Sequence, residues 1–558
     1  MNEAETRADL IDPKLKESGW CAVDGLKICA VFVLTLFLVL LPDASMAKQE
    51  MVTLASRYNV TGEGPNVTLP YFLDMPANGE PKAILLVIPG GNGVINLKNL
   101  DGKIRHDLQY NLFIRSTTML HERSIGLAMP DVPSDRSKGM NVTFRKGRDH
   151  ATDLKMVLKD LRTRYTKSKI YFASSGSGGV SALFAAGNLG KDLDGVILAG
   201  ADTSQLHAYD HSAVKTPVLM IHHLENSCDS SPSIEAREIA ETYSFTLFPF
   251  SGGEPDKDKN PCAFLTKHGL LGLETKAAAT ISDWIDGKKL SPPISENEHY
   301  FLNEKVILIP WRGDGGEVRL QTTVYKPDGP GPFPLAIISH GVPFEKVLES
   351  EIKSRHRYCL QSQEFVKRGF VVAIPMRRGY GKSGGQKNTA YGNITVFGME
   401  DAKDIQSTID FMRREPYVDG KNIVLVGQSG GGLASLAYGS MANPDVKGII
   451  NFAGGLRVSR EMWEFDMASA FGIYAKTTQI PSLWFYTEND SYFSPTTARS
   501  AYEQYRKNGG QARLIALPPF KKDGHGLFAD YEGRSIWVKE VEKFLSQIGF
   551  VAAAEEKK

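Results

Sequence analysis

The chain has 558 residues, of which 42% are hydrophobic and 23% charged, and its formal net charge is +1. Those proportions belong to a globular protein with room for two or three domains, not to a disordered or fibrous one. A near-zero balance offers no broad electrostatic field for nucleic acid or an anionic membrane surface, so neither is expected as a partner.

Residues 28–41 form a 14-residue apolar run broken only by Thr35, with Lys27 before it and Pro42 after it. That length suits the h-region of a signal peptide and is short for a membrane span. Ser45 and Ala47 then place small residues where a signal peptidase reads. Export with cleavage after Ala47 is expected, although the 27 residues ahead of the run are long for an n-region. An uncleaved N-terminal anchor is the alternative, and only then would a membrane be a partner. Cleavage would remove Cys21 and Cys29 and leave Cys228, Cys262 and Cys359. Three cysteines cannot all pair within one chain. Cys228 and Cys262 lie in polar stretches and form the natural disulfide, with a separation of 34 residues. The chain-entropy model credits such a loop with about 3–4 kcal/mol. Cys359 is expected as a partly buried free thiol.

The remainder reads as an internal repeat. AILLVIPGGNG, from Ala83, corresponds to LAIISHGVP, from Leu335; IGLAMPDVPSD, from Ile125, corresponds to VVAIPMRRGYGKS, from Val371. HATDLKMVLKDL and EDAKDIQSTIDFM both place apolar residues at helical spacing. KIYFASSGSGGVSAL then overlays NIVLVGQSGGGLASL, setting Gly176 on Ser429. Apolar strands alternating with helices imply an α/β fold in each half, a mostly parallel sheet flanked by helices. The expected division is residues 1–47 as signal or anchor, 48–288 as the first domain and 289–299 as a polar linker containing Pro292-Pro293. Residues 300–550 form the second domain, and 551–558 a polar tail. The second domain should open with an antiparallel hairpin around Arg312-Gly313-Asp314-Gly315-Gly316.

The chemistry concentrates in the second half. Residues 423–426 read as a buried strand that enters Gly427-Gln428-Ser429-Gly430-Gly431 and leaves into a helix. A strand, G-x-S-x-G and a helix in that order make a nucleophile elbow, which strains the serine backbone and exposes its hydroxyl at the sheet edge. Downstream, PSLWFYTENDSYFSP ends a strand near Asp490, the expected acid, with Glu488 as the alternative. Lys522-Asp523-Gly524-His525-Gly526 then places His525 in a late loop, as a base would require. Gly430, after the nucleophile, and Val342, after the early strand, should supply the oxyanion hole through their N–H groups. The stretch 457–478, with Met462, Trp463, Phe465 and Phe471, is expected either as a small lid or as ordinary core. Arg377 and Arg378 are read as surface arginines of a turn or as binders of a substrate carboxylate.

These motifs, PFPLAIISHG, MRRGYGKSGG, GQSGGG, END and DGHG, resemble the α/β-hydrolase superfamily over roughly residues 306–550. They are most similar to its dienelactone hydrolase and prolyl-oligopeptidase-related branch. The resemblance implies hydrolysis of a small-molecule ester or a peptide through an acyl-enzyme on Ser429, with no metal or organic cofactor. It departs from dienelactone hydrolases proper, which carry a cysteine at the elbow, and from the large peptidases, whose β-propeller is missing. A carboxylic ester is therefore the leading substrate class, with peptidase and non-catalytic binding protein as alternatives.

The first half resembles the same superfamily with its chemistry lost: Gly176 stands at the nucleophile position, Asn226 at the acid and His268 at the base. A register shifted by one would instead offer Ser177, with Glu225 or Asp229 as the acid. His222-His223 invites a metal reading, but neighbours on an extended strand face opposite ways, and no further ligands join them.

Overall fold

The computed structural model describes residues 48–57, 67–290, 301–313, 316–342 and 355–550. The apolar N-terminal run, most of the linker and the polar tail therefore lie outside the described residues.

The first half contributes β1 (Lys48–Arg57), β2 (Val67–Met75), β3 (Ala83–Ile88), a short ribbon of β4 (Lys98–Leu100) and β5 (Lys103–Arg105), β6 (Ile125–Pro130), β7 (Lys169–Gly176), β8 (Gly195–Ala201), β9 (Val218–His223) and β10 (Thr246–Phe250). The second contributes β11 (Lys305–Gly313), β12 (Gly316–Tyr325), β13 (Phe333–Ser339), β14 (Val371–Pro375), β15 (Val418–Gln428), β16 (Val446–Phe452), β17 (Ser482–Thr487) and β18 (Ala512–Leu517). One sheet runs β1-β2-β6-β3-β7-β8-β9-β10, the other β11-β12-β14-β13-β15-β16-β17-β18. Position for position these are the same order, so the repeat read in the sequence is a repeat of topology. Each sheet opens with an antiparallel pair and is parallel from its third spatial position onward. The sequence-expected hairpin is β11 against β12, Lys305 facing Val324 and Gly313 facing Gly316.

The central strands are apolar throughout because helices cover both faces. Every residue of β3, β6 and β8 is buried. Among the covering helices, Arg148–Arg164 buries Leu154, Val157, Leu158 and Leu161 on one stripe. Its counterpart, Ile394–Met412, starts where the Asn393 side chain accepts from Val396 N at 3.1 Å, the usual use of asparagine at a helix start. Cys228 and Cys262 are disulfide-bonded, as the sequence suggested, and Cys359 is a fully buried free thiol. Burial pushes that thiol well above its ordinary value.

The halves meet through buried charge. Glu304 pairs with Arg355 at 2.8 Å and with Arg357, and Arg355 reaches Glu235 of the first half at 3.3 Å. Burial alone would raise the Glu304 carboxyl, but the two guanidinium groups hold it at about 2, below its ordinary 4.5. A depressed carboxylate stabilises the fold above its unfolded value and loses that contribution as the pH falls towards the folded one. Stability should therefore fall between about pH 4.5 and 2, in the window set by Glu304. Glu304→Gln should flatten that slope and cost about 3–5 kcal/mol at neutral pH, because two buried cations lose their carboxylate. Urea melts at pH 7, 4 and 3 would check both; an unchanged midpoint at neutral pH would contradict the assignment.

Candidate active site

The site is built at the carboxyl edge of the second sheet. At the end of β15 the chain turns through Ser429, whose φ of 55° and ψ of −125° lie in a region unfavourable for a residue with a Cβ. Backbone hydrogen bonds hold it there. Ser429 N donates to Phe452 O at 2.9 Å, and Ser429 O accepts from Gly432 N at 2.8 Å and Gly455 N at 3.1 Å. The flanking glycines are required sterically. A Cβ on Gly427 would lie 2.2 Å from Gly431 O, and one on Gly431 only 2.0 Å from Ser339 O.

Asp490 follows β17 with its carboxylate buried, and Oδ1 accepts from the backbone N of Tyr492 at 2.8 Å and of Phe493 at 3.0 Å. His525 Nδ1 sits 3.0 and 3.1 Å from the two carboxylate oxygens. Glu488, the sequence's alternative acid, is exposed. The His525 loop is shaped by Asp523, which accepts from His525 N at 3.0 Å and from Ser491 N at 3.1 Å. The Tyr492 ring stacks on the imidazole at 4.3 Å between centroids. Gln428 Nε2 donates to His525 O at 3.4 Å, tying the elbow to the histidine loop. On the other side of the elbow, Gly430 and Val342 are neighbours: a Cβ on Gly430 would lie 2.7 Å from Val342 Cγ2 and 3.4 Å from Val342 N. The expected residues Ser429, Asp490, His525, Gly430 and Val342 thus gather on one rim.

One sequence expectation needs correction. Arg377 is buried, donating to Asp401 and to His340 O, and Arg378 bonds Asp404 Oδ1 at 2.7 Å. Neither is a loose surface arginine or a free carboxylate binder; they brace the loops after β13 and β14. The 457–478 stretch divides between the two readings given for it. Met467, Phe471 and Tyr474 are core, while Met462 and Phe465 are 66% and 65% exposed. Tyr492, Asp523 and Gln428 were missed because their roles are contacts across loops. Only Asp523 left a trace in the sequence, as an aspartate two residues before His525, suited to accept from a backbone N–H.

The first half keeps the framework of such a site. The left-handed φ at the end of β7 falls on Gly176 (53°), with open space where a Cβ would stand. Ser177 is ordinary helical backbone and donates to Gly91 O at 3.1 Å, so the register shifted by one lacks the elbow geometry. Asn226 Nδ2 lies 3.3 Å from His268 Nδ1 and 3.2 Å from His222 Nε2. Glu225 is taken by Lys267, and Asp229 accepts from Cys359 N at 3.1 Å. Burial holds His268 at about 4 and His222 at about 3, so both are neutral near pH 7. His222 and His223 bond different carbonyls, Ser231 O and Gly252 O.

Residues 314–479 match the model of the family described as X-Pro dipeptidyl-peptidase (S15 family). The strand order, repeated in both sheets, agrees with that match. Both halves have the fold of α/β-hydrolase-like domains, arranged in tandem. No curated protein matches this chain. Among solved structures it is similar to a Klebsiella pneumoniae protein assigned as a dienelactone hydrolase (16% identity, 44% of this chain and 98% of that one, TM-score 0.33). It is also similar to the acylaminoacyl peptidase of Pyrococcus horikoshii (17%, 46% and 43%, 0.35). A third is esterase 2 of Thermogutta terrifontis (20%, 45% and 96%, 0.33). At these identities and scores none of them assigns a substrate.

The geometry of the first half makes a sharp forecast. Gly176→Ser carries the strain of a positive φ, as Ser429 does, but nothing crowds its Cβ, so it should fold; it should stay unreactive, because an asparagine cannot stabilise an imidazolium as a carboxylate does. In a Ser429→Ala background, mass spectrometry after fluorophosphonate treatment should find no adduct at position 176 or on Ser177.

Proposed function

We propose that the protein is an exported serine hydrolase that cleaves a carboxylic ester through an acyl-enzyme on Ser429. The observation that carries this is the buried Asp490 carboxylate bonded to His525 Nδ1 beside a strained elbow serine. In this reading His525 Nε2 removes the Ser429 proton as Oγ attacks the carbonyl carbon. The oxyanion is met by the N–H groups of Gly430 and Val342. The protonated histidine then gives its proton to the leaving alcohol, and water repeats the sequence to release the acid. Asp490, already desolvated and held by two backbone N–H groups, keeps the ring in the tautomer whose Nε2 can accept. This proposed machinery involves no metal or organic cofactor.

Peptide hydrolysis is the second reading, favoured by the family match over residues 314–479. Parallel assays on p-nitrophenyl esters and on X-Pro p-nitroanilides separate the two. Export is supported by the apolar run at residues 28–41 and by the Cys228–Cys262 disulfide, a bond that persists in oxidising compartments.

Ser429→Ala and His525→Ala should each lower kcat on an activated ester by roughly 10⁴–10⁶, and the double variant should lose little more, because the pair acts as a unit. Asp490→Asn should cost somewhat less. Full turnover by Ser429→Ala would sink the assignment. Protein isolated from its source should begin at Lys48 and, denatured without reductant, titrate one thiol. Three titratable thiols would place it in a reducing compartment.

A further inference from the structure

In both halves the loop after the seventh strand of the sheet holds the acid position, Asp490 in one and Asn226 in the other. The Asn226 side chain is spent within its own half, on His268, His222 and Ser231. The backbone of its loop faces the second half. Arg357, 2% exposed, donates to Cys228 O at 2.7 Å and to Asn226 O at 3.3 Å while bonding Glu304 Oε1 at 2.8 Å. Asp229 Oδ1 accepts from Cys359 N. The disulfide to Cys262 closes the same loop. A single arginine thus joins two backbone carbonyls of the first half to a buried carboxylate of the second.

The residues on either side of Arg357 reach the candidate site. His356 stacks on His340, at the end of β13, with centroids 4.7 Å apart, and on Tyr358 at 5.3 Å and 9°. Tyr358, itself in the left-handed region (φ 46°), donates from its hydroxyl to Gln428 Oε1 at 3.0 Å. Its ring meets Phe528, three residues after His525, at 5.2 Å. Segment 355–359 therefore touches the oxyanion loop, the residue before Ser429 and the histidine loop together, and is gripped from behind by the first half.

We propose that the retired acid loop of the first half, Asn226 to Asp229, is a positioning element for the site of the second half. It acts through Arg357 and Tyr358 on the oxyanion loop and the elbow, and the proposal rests on the hydrolase reading above. Positioning groups act by holding reacting atoms within fractions of an ångström, so loosening them lowers turnover more than binding. A second contact between the halves serves as the control. Lys382 Nζ pairs with Glu238 at 3.0 Å and meets His207 Nε2 at 3.0 Å, without touching segment 355–359 in any of these bonds.

The test uses the full chain, with p-nitrophenyl acetate for kcat and KM, fluorophosphonate labelling of Ser429, and thermal unfolding as a check on folding. Arg357→Met and the Cys228→Ser/Cys262→Ser pair should lower kcat by roughly tenfold or more with KM within about twofold, and slow labelling in parallel. Arg357→Lys should fall between Arg357→Met and the parent, since a point charge can serve the carboxylate but not both carbonyls. Tyr358→Phe removes one hydroxyl and keeps the ring, so it tests the link to Gln428 even if Arg357→Met does not fold; a fall of about fivefold in kcat is expected. Lys382→Met should stay within about twofold of the parent on the same scale. The proposal is overturned if folded Tyr358→Phe and cysteine-pair variants keep the parental kcat, or if Lys382→Met loses as much as they do. A parent chain that neither turns over ester nor takes the label would instead overturn the hydrolase reading, and the positioning role with it.

Discussion

A left-handed backbone at the end of the fifth strand, where a helix must begin at once, is the constraint around which each half is arranged. The turn leaves no room for a side chain at Gly427 or Gly431, whose Cβ atoms would run into backbone oxygens. It also needs the neighbouring strand to hold it, through Phe452 O and Gly455 N. Because the elbow lies at the carboxyl edge of a parallel sheet, loops after the sixth, seventh and eighth strands arrive on the same rim. Asp490 and His525 meet there because the topology delivers them, although 35 residues separate them in sequence.

The two halves share that framework and differ in the residues placed on it. Gly176 has nearly the same φ as Ser429, 53° against 55°, so the first elbow survives without a nucleophile. A glycine accepts that conformation with little strain, whereas a serine is strained by it. The corresponding loop carries Asn226 where the second half has Asp490, and it buries the two histidines as neutral groups. That loop is closed by the disulfide, and its carbonyls at Asn226 and Cys228 accept a guanidinium from the other half. It is a surface of the first half that meets segment 355–359 of the second.

Buried charge makes that contact specific. Glu304, Arg355, Arg357 and Glu235 lie between the halves with almost no exposure. Such groups are costly to bury and are tolerated only when their geometry is complete. A displacement of one half against the other would leave charges unpaired in a dry interface, so the arrangement favours a single docked geometry. The aromatic stack from His340 through His356 to Tyr358 extends that order to the elbow.

Local patterning decided much of this protein. The apolar strands, the two G-rich elbows, the repeat and the order Ser429, Asp490, His525 are all set by short stretches of chain, because strand burial and tight turns constrain residue type within a few positions. Between Asp490 and Glu488, which sequence left open, the fold brings only Asp490 to the histidine, while Glu488 is exposed. Arg377 and Arg378 were misread because an arginine in a turn looks the same whether its carboxylate partner is absent or, as with Asp401 and Asp404, waits on a distant helix. Arg357 left no sequence signal at all. Its partners are a glutamate 53 residues earlier and two backbone carbonyls of the other half. A carbonyl carries no residue identity, so only the tertiary structure could decide which carbonyls Arg357 would meet.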